Sequence, residues 1–93
     1  MSESTFDLLQ VVVMDGKTSV VSIGVWKTKQ AAVDCLKGKI RDKYENNKTV
    51  DVVDMQEEME EAIFHGNMWR EPENPSEQVI VIWLCNATVI HEQ

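Results

Sequence analysis

The sequence predicts an α+β domain in which a β-hairpin is followed by two helices and a central strand. Three observations indicate this class. Asp15-Gly16 interrupts a Val- and Ile-rich stretch, two helix-length segments carry apolar residues at helical spacing, and residues 79–84 are apolar at every position. We expect an antiparallel or mixed sheet with the helices on one face. The length of 93 residues predicts a single domain over residues 1–93.

The first two predicted strands, residues 6–14 and 17–26, form the hairpin. Asp15-Gly16 suits the positive φ angles of a two-residue type I′ turn, and this turn sets the register. One hairpin face should meet the core. The opposite face is also apolar near the turn, and a second subunit is one candidate to cover it. The predicted pairs on the core face are Met14–Lys17, Val12–Ser19, Gln10–Val21, Leu8–Ile23 and Phe6–Val25.

The first predicted helix covers residues 28–44. Thr28 is a suitable N-cap because its hydroxyl can accept a hydrogen bond from a free backbone N–H of the first turn. The helix should pack on the core through one apolar stripe. That stripe consists of Val33, Leu36, Ile40 and Tyr44, with Ala32 beside it.

A second helix is predicted at residues 54–65, where Asp54 and Glu57 resemble a capping pair and Gly66 follows the last turn. Residues 49–53 are compatible with a short strand or with the lead-in to this helix. The apolar stripe consists of Met55, Met59, Ala62 and Ile63.

The last third of the chain is predicted to contain a loop and a strand. Residues 65–76 include both prolines and form the loop, which carries Met68 and Trp69. Residues 77–85 form a strand that is apolar on both faces, as in the centre of a sheet or at an interface. Asn86-Ala87 is a candidate turn into a last short strand at residues 88–91.

Charge is segregated along the chain. Residues 1–16 carry a charge of −3, residues 17–48 carry +5, and residues 49–93 carry −9, which gives the net charge of −7. Blocks of this kind indicate what a protein binds more than what chemistry it performs.

The acidic helix and the following loop are the candidate partner-binding surface. A row of helical carboxylates could imitate phosphates in the basic groove of a nucleic-acid-binding protein, and Met, Trp and Arg are enriched at interaction hot spots. Three alternatives stay open: a solvated helix face, an acidic helix paired with the basic helix of the same molecule, and a Trp69 that folds over the core edge. The candidate residues are Asp54, Glu57, Glu58, Glu60, Glu61, Met68, Trp69 and Arg70.

The leading functional hypothesis is therefore a small, non-enzymatic protein–protein interaction module, in its sharper form a phage-type inhibitor that imitates DNA. The alternative is a nucleic-acid-binding module that uses the basic helix within residues 27–48. Its candidate phosphate contacts are Lys37, Lys39, Arg41 and Lys43. The net charge of −7 argues against this alternative, because the acidic half of the chain would repel the nucleic acid.

No catalytic, cofactor or metal motif is recognisable in the sequence, so no cofactor or metal is predicted. Cys35 and Cys85 have no supporting ligand spacing and are interpreted as packed thiols. Their small number and the lack of a targeting-like N-terminus predict a reducing, cytoplasmic setting. No stretch approaches the ~18 apolar residues that span a bilayer, so no membrane partner is expected.

Two segments carry a resemblance to known proteins. Residues 11–16 read Val-Val-Val-Met-Asp-Gly, and residues 23–32 read Ile-Gly-Val-Trp-Lys-Thr-Lys-Gln-Ala-Ala. Together they resemble short uncharacterised bacterial and phage proteins, in which the second hairpin strand ends in Gly-Val-aromatic and a Ser/Thr-Lys helix start follows. The resemblance implies a hairpin-plus-helix core and no established activity.

Overall fold

The computed structural model describes residues 2–73 and 77–91. Within these residues the elements are β1 (Ser2–Met14), β2 (Lys17–Trp26), α1 (Lys29–Tyr44), α2 (Val52–Gly66), β3 (Met68–Arg70) and β4 (Val79–His91). The strands form one antiparallel sheet of order β2-β1-β4-β3. Both helices pack on the same face of this sheet, so the predicted α+β class is confirmed.

The hairpin between β1 and β2 has the predicted turn. Asp15 and Gly16 adopt positive φ angles of 52° and 75°, and Met14 pairs with Lys17. Because a two-residue turn fixes the first pair, the predicted register holds from the turn as far as Leu9.

A β-bulge then interrupts this register between Leu8 and Leu9. Beyond it, Leu8 faces Gly24 and Phe6 faces Trp26. The Trp26 indole lies over Gly24, where an added Cβ would be 2.8 Å from Cη2 of the ring. The absence of a side chain at Gly24 therefore makes room for the indole. Because the bulge shifts the register by one residue, the predicted pairs Leu8–Ile23 and Phe6–Val25 are wrong.

β4 lies inside the sheet, as its two apolar faces predict. It pairs with β1 along its whole length, from Met14 opposite Val79 to Ser2 opposite His91. The predicted turn at Asn86-Ala87 is therefore wrong. β1 begins earlier than predicted and provides a continuous hydrogen-bonding partner, so β4 runs straight through these two residues.

The first helix begins as predicted, with the Thr28 side chain accepting a hydrogen bond from the Ala31 backbone N–H. The second helix begins earlier than predicted, because Asp51 rather than Asp54 is its N-cap. Residues 49–51 therefore lead into the helix and residues 52–53 belong to it, so the short strand does not form. Gly66 is the last helical residue, and the left-handed C-cap conformation is adopted by Asn67 with φ 58°.

The core lies between the two helices and the sheet. Both predicted helical stripes contribute to it, and the sheet adds one apolar side chain from β1, two from β4 and one from β3. The buried core side chains are Leu8, Ala32, Val33, Leu36, Ile40, Met55, Met59, Ile63, Trp69, Trp83 and Cys85.

The opposite face of the sheet is not covered by either described helix. Strand alternation and the pairing register place nine apolar side chains on this surface, which we call the open sheet face. They are Leu9, Val11, Val13, Val20, Val25, Met68, Ile80, Ile82 and Leu84. Across the described parts of the chain, no helix is long and apolar enough to cross a membrane.

Candidate functional site

The outward side of α2 is strongly acidic. Burial of Met55, Met59 and Ile63 rotates the carboxylates on the opposite side of this helix into solvent. We call the exposed set Asp54, Glu57, Glu58 and Glu61 the acidic face. None of these four side chains forms an ion pair with any residue in the described ranges.

The acidic face contains like-charge pairs that the fold leaves unrelieved. Asp54 with Glu58 and Glu57 with Glu61 are each four residues apart on one helix surface. Such a pair destabilises an isolated helix by ~0.2–0.5 kcal/mol. This cost persists in the folded chain, because no basic residue in the described ranges forms an ion pair with these carboxylates.

Glu60 is the predicted site carboxylate that does turn towards α1. Its Oε2 lies 3.0 Å from Lys37 Nζ and accepts a hydrogen bond from Gln30 Nε2 at 3.1 Å. These contacts, with the Gln30 hydrogen bond the largest contribution, lower the pKa of Glu60. The two helices therefore pair in part through this contact, and Glu60 is less available to a partner than the acidic face.

The four basic candidates on α1 do not form a free phosphate-binding row. Lys37 pairs with Glu60, and Lys43 Nζ lies 2.7 Å from a buried carboxylate, that of Glu71. Arg41 is exposed and lies 3.7 Å from the neighbouring Asp42. Lys39 is exposed and forms no ion pair within residues 2–73 and 77–91.

The segment Met68–Arg70 is the edge strand β3 and not a loop. It pairs with β4, and Trp69 lies opposite Trp83 with only 5% of its surface exposed. The alternative in which Trp69 covers the core edge is therefore correct, and its side chain is not presented to a partner. Met68 and Arg70 point to the open sheet face, where Arg70 pairs with Glu73.

Two exposed apolar side chains beside the acidic face were missed by the sequence analysis. Val53 is 61% exposed and Phe64 is 42% exposed, at opposite ends of α2. The Phe64 ring also lies 5.7 Å from the ammonium of Lys29. The sequence does indicate their exposure, because both residues fall outside the Met55–Met59–Ile63 stripe when the helix is projected at 100° per residue.

A buried carboxylate ties the C-terminal end of α1 to β4. Glu71 is 6% exposed and accepts hydrogen bonds from Tyr44 Oη at 2.5 Å, Lys43 Nζ at 2.7 Å and Trp83 Nε1 at 2.7 Å. Burial first, and then the hydrogen bond and charge of Glu71, raise the pKa of Tyr44. Both carboxylate oxygens are satisfied, which is typical of a structural anchor rather than a reactive acid.

A cleft of about 480 Å³ lies beside this network. Tyr44, Glu71 and Val81 line it, and the hydrogen bond from Tyr44 Oη to Glu71 belongs to the anchor network described above. In the described parts of the chain, no group of three or more His, Cys, Asp or Glu side chains is arranged to hold a metal ion.

The two cysteines are free thiols. Cys85 is buried and Cys35 is half-buried, and desolvation raises the pKa of Cys85. A raised pKa lowers the thiolate fraction, so Cys85 is a poor nucleophile at neutral pH. This agrees with their interpretation as packed side chains.

Comparison of the chain with models of protein families, with curated proteins and with solved structures finds no match in any of the three.

Proposed function

We propose that this chain is a non-enzymatic interaction module that presents the acidic face of α2 to a basic surface of a partner protein. The observation that supports this most directly is that four neighbouring carboxylates remain without ion-pair partners among the described residues, although a basic helix packs beside them. An arrangement that carries unrelieved repulsion in the free protein gains most when a basic partner neutralises it.

The spacing of the acidic face favours imitation of nucleic acid. From Asp54 to Glu61 the helix advances roughly 10.5 Å. The axial steps between successive carboxylates are about 4.5, 1.5 and 4.5 Å, with a mean of about 3.5 Å. One strand of B-DNA carries a phosphate about every 3.4 Å. We therefore propose a phage-type inhibitor that occupies the basic groove of a nucleic-acid-binding protein.

The apolar ends of α2 add a second element of recognition. Val53 and Phe64 lie on the solvent side of the helix at either end of the carboxylates. An aromatic anchor with surrounding charges is typical of protein–protein contacts. Phe64 thus replaces Trp69 as the proposed aromatic contact.

Two further proposals concern the setting of the protein. The free thiols of Cys35 and Cys85 suit a reducing, cytoplasmic compartment. A second copy of the chain is also a proposed partner. The nucleic-acid-binding alternative has little support, since Lys37 and Lys43 are already paired with carboxylates.

The test is affinity capture from a host extract with the immobilised chain as bait. Wild-type bait should retain a basic protein that is released by added duplex DNA and by rising salt, because DNA competes for the same surface. Neutralising Glu57→Gln, Glu58→Gln and Glu61→Gln together should abolish this capture. Phe64→Ala should weaken it at every salt concentration.

A charge-matched control separates the acidic face from net charge alone. Glu3→Gln, Asp15→Asn and Glu45→Gln remove the same three negative charges from exposed positions outside α2. This bait should retain the partner. Equal capture by both triple variants, or equal loss from both, would show that the acidic face is not the binding site.

A further inference from the structure

We infer that the open sheet face is the contact surface of a symmetric dimer of this chain. Self-association is part of the proposed function, and the open sheet face is where the two copies would meet. This contact does not involve the acidic face. It starts from the unequal covering of the sheet: the two helices bury one face, while the other remains in contact with solvent.

The apolar residues of the open sheet face form one continuous patch. Val11 of β1 lies between Val20 of β2 and Ile82 of β4, and Leu9 lies opposite Leu84, which in turn faces Met68 of β3. Rows of paired apolar side chains thus cross all four strands. The exposed fractions reach 59% at Val20 and 52% at Met68, so the patch is accessible at both of its sides.

The charged groups on this face lie outside its apolar block, with Glu3 and Asp7 on β1 beyond Leu9 and Arg70 on the edge strand β3. Asp7 is held by Ser22, whose hydroxyl donates a hydrogen bond to Oδ1 at 2.7 Å. Arg70 on the short edge strand pairs with Glu73. The block formed by residues 9–13 of β1 and residues 80–84 of β4 carries no charged side chain, and two copies can meet there without burying an unpaired ion.

The size of the face suits a stable dimer. β1, β2 and β4 contain 10 to 13 residues each. At ~3.4 Å per residue and ~4.8 Å between strands, they cover roughly 500–600 Å² in projection, counting the apolar block together with polar positions such as Asp7 and Ser22. The accessible surface is larger because side chains project from the sheet. A standard interface buries about 800 Å² from each partner, whereas soluble monomers rarely expose apolar patches larger than a few hundred Å².

Charge placement favours a second copy of this chain over a basic partner at this face. The net charge of −7 would oppose self-association if the acidic faces met. They do not meet, because the helix layer separates them from the sheet. Two sheets stacked ~10 Å apart, each backed by a helix layer ~10 Å thick, leave the acidic faces roughly 30 Å apart. That separation exceeds the Debye length of about 8 Å at physiological salt.

Two adjacent residues of β2 provide a matched test. Val20 and Val21 are 59% and 51% exposed, and they point to opposite faces of the same edge strand. Val20→Lys places a charge on the open sheet face of both copies, whereas Val21→Lys makes the same change on the helix side. Met68→Lys is a second variant at the other side of the open sheet face.

Sedimentation velocity across protein concentrations is the measurement, with far-UV circular dichroism to verify folding. Wild type and Val21→Lys should sediment with twice the chain mass of 10.6 kDa. Val20→Lys and Met68→Lys should lower the dimer affinity on the order of 100-fold, because each lysine faces an apolar surface in a two-fold contact. The wild-type dimer should persist at high salt, as expected for apolar contact.

Three outcomes would overturn the inference. A monomeric wild type at high concentration excludes the dimer. A dimer that survives both Val20→Lys and Met68→Lys lies on another surface. Loss of the dimer in Val20→Lys and Val21→Lys alike would point to the β2 edge instead of the face. Glu57→Gln with Glu61→Gln should leave the dimer intact, so failure of partner capture and failure of dimerisation are distinguishable.

Discussion

The buried carboxylate of Glu71 offers a sharp test of what stabilises this fold. Its Oε1 accepts from Tyr44 and Lys43, and its Oε2 accepts from the indole of Trp83. In Glu71→Gln the side-chain shape is kept, but one acceptor oxygen becomes an NH₂ donor. The new NH₂ group must then face another donor, either the Trp83 indole N–H or the Tyr44 hydroxyl and the Lys43 ammonium. In the second case the Tyr44 hydroxyl must turn and Lys43 must move into solvent.

The expected loss can be worked from these contacts. A hydrogen bond to a charged group contributes ~1.5–3 kcal/mol and a neutral one about 1 kcal/mol. Lys43 is half exposed and regains water, so the loss falls mainly on the Trp83 and Tyr44 bonds. Weakening of these two hydrogen bonds predicts a decrease of roughly 2 kcal/mol in the free energy of unfolding, or roughly 8–16 °C in Tm for a domain of this size.

Urea unfolding followed by tryptophan fluorescence measures this difference, at one fixed protein concentration because dimerisation adds to apparent stability. Glu73→Gln is the matched control. Its side chain is 71% exposed and pairs with Arg70 at the surface, so it should cost less than about 1 kcal/mol. Equal losses from the two variants, or no loss from Glu71→Gln, would refute the assignment of Glu71 as a structural anchor.

Three further predictions follow from local contacts. The raised pKa of Tyr44 means that the folded chain keeps the phenol proton at pH values where the unfolded chain releases it, so stability should fall as pH rises above about 10. Ultraviolet titration reports this group alone, because the chain has one tyrosine, and a phenol that titrates near pH 10 in the folded protein would contradict it. Gly24→Ala should lower Tm, because the added Cβ would lie 2.8 Å from the Trp26 ring. Gly38→Ala should stabilise α1 by ~0.5–1 kcal/mol, because an added Cβ there meets nothing within 4 Å. Thermal unfolding should therefore show Tm changes of opposite sign for the two variants. Glu60→Gln should cost up to ~1 kcal/mol at pH 7 and about nothing at pH 2, where the wild-type Glu60 side chain is protonated and therefore uncharged like glutamine. A loss of equal size at both pH values would exclude the ion pair as its cause.

Local signals predicted most of the secondary structure. The Asp15-Gly16 turn and the Thr28 cap depend on a few neighbouring residues, and both have the expected geometry. Errors arose where a distant element decided the outcome. β1 provides the continuous partner that carries β4 through Asn86, and the bulky Trp26 requires space at Gly24 within a bulge.

The candidate site was predicted in part. Helical periodicity correctly separates the buried stripe of α2 from its carboxylates, since both depend on a repeat of 3.6 residues. It does not tell which carboxylate meets the other helix, and Glu60 alone of the helical set pairs with Lys37. Composition likewise marks Trp69 as a hot-spot residue type, but only the pairing of β3 with β4 places that indole in the core.

The sequence by itself determined the segregation of charge into a hairpin, a basic helix and an acidic helix, because charge and periodicity are properties of the chain. Only the tertiary structure decided which charges neutralise one another. Ion pairs require side chains within about 4 Å. The packing of α1 against α2 and against Glu71, which follows β3, gives that proximity to Lys37 and Lys43 but not to the acidic face. The same packing covers one side of the sheet and leaves the other open.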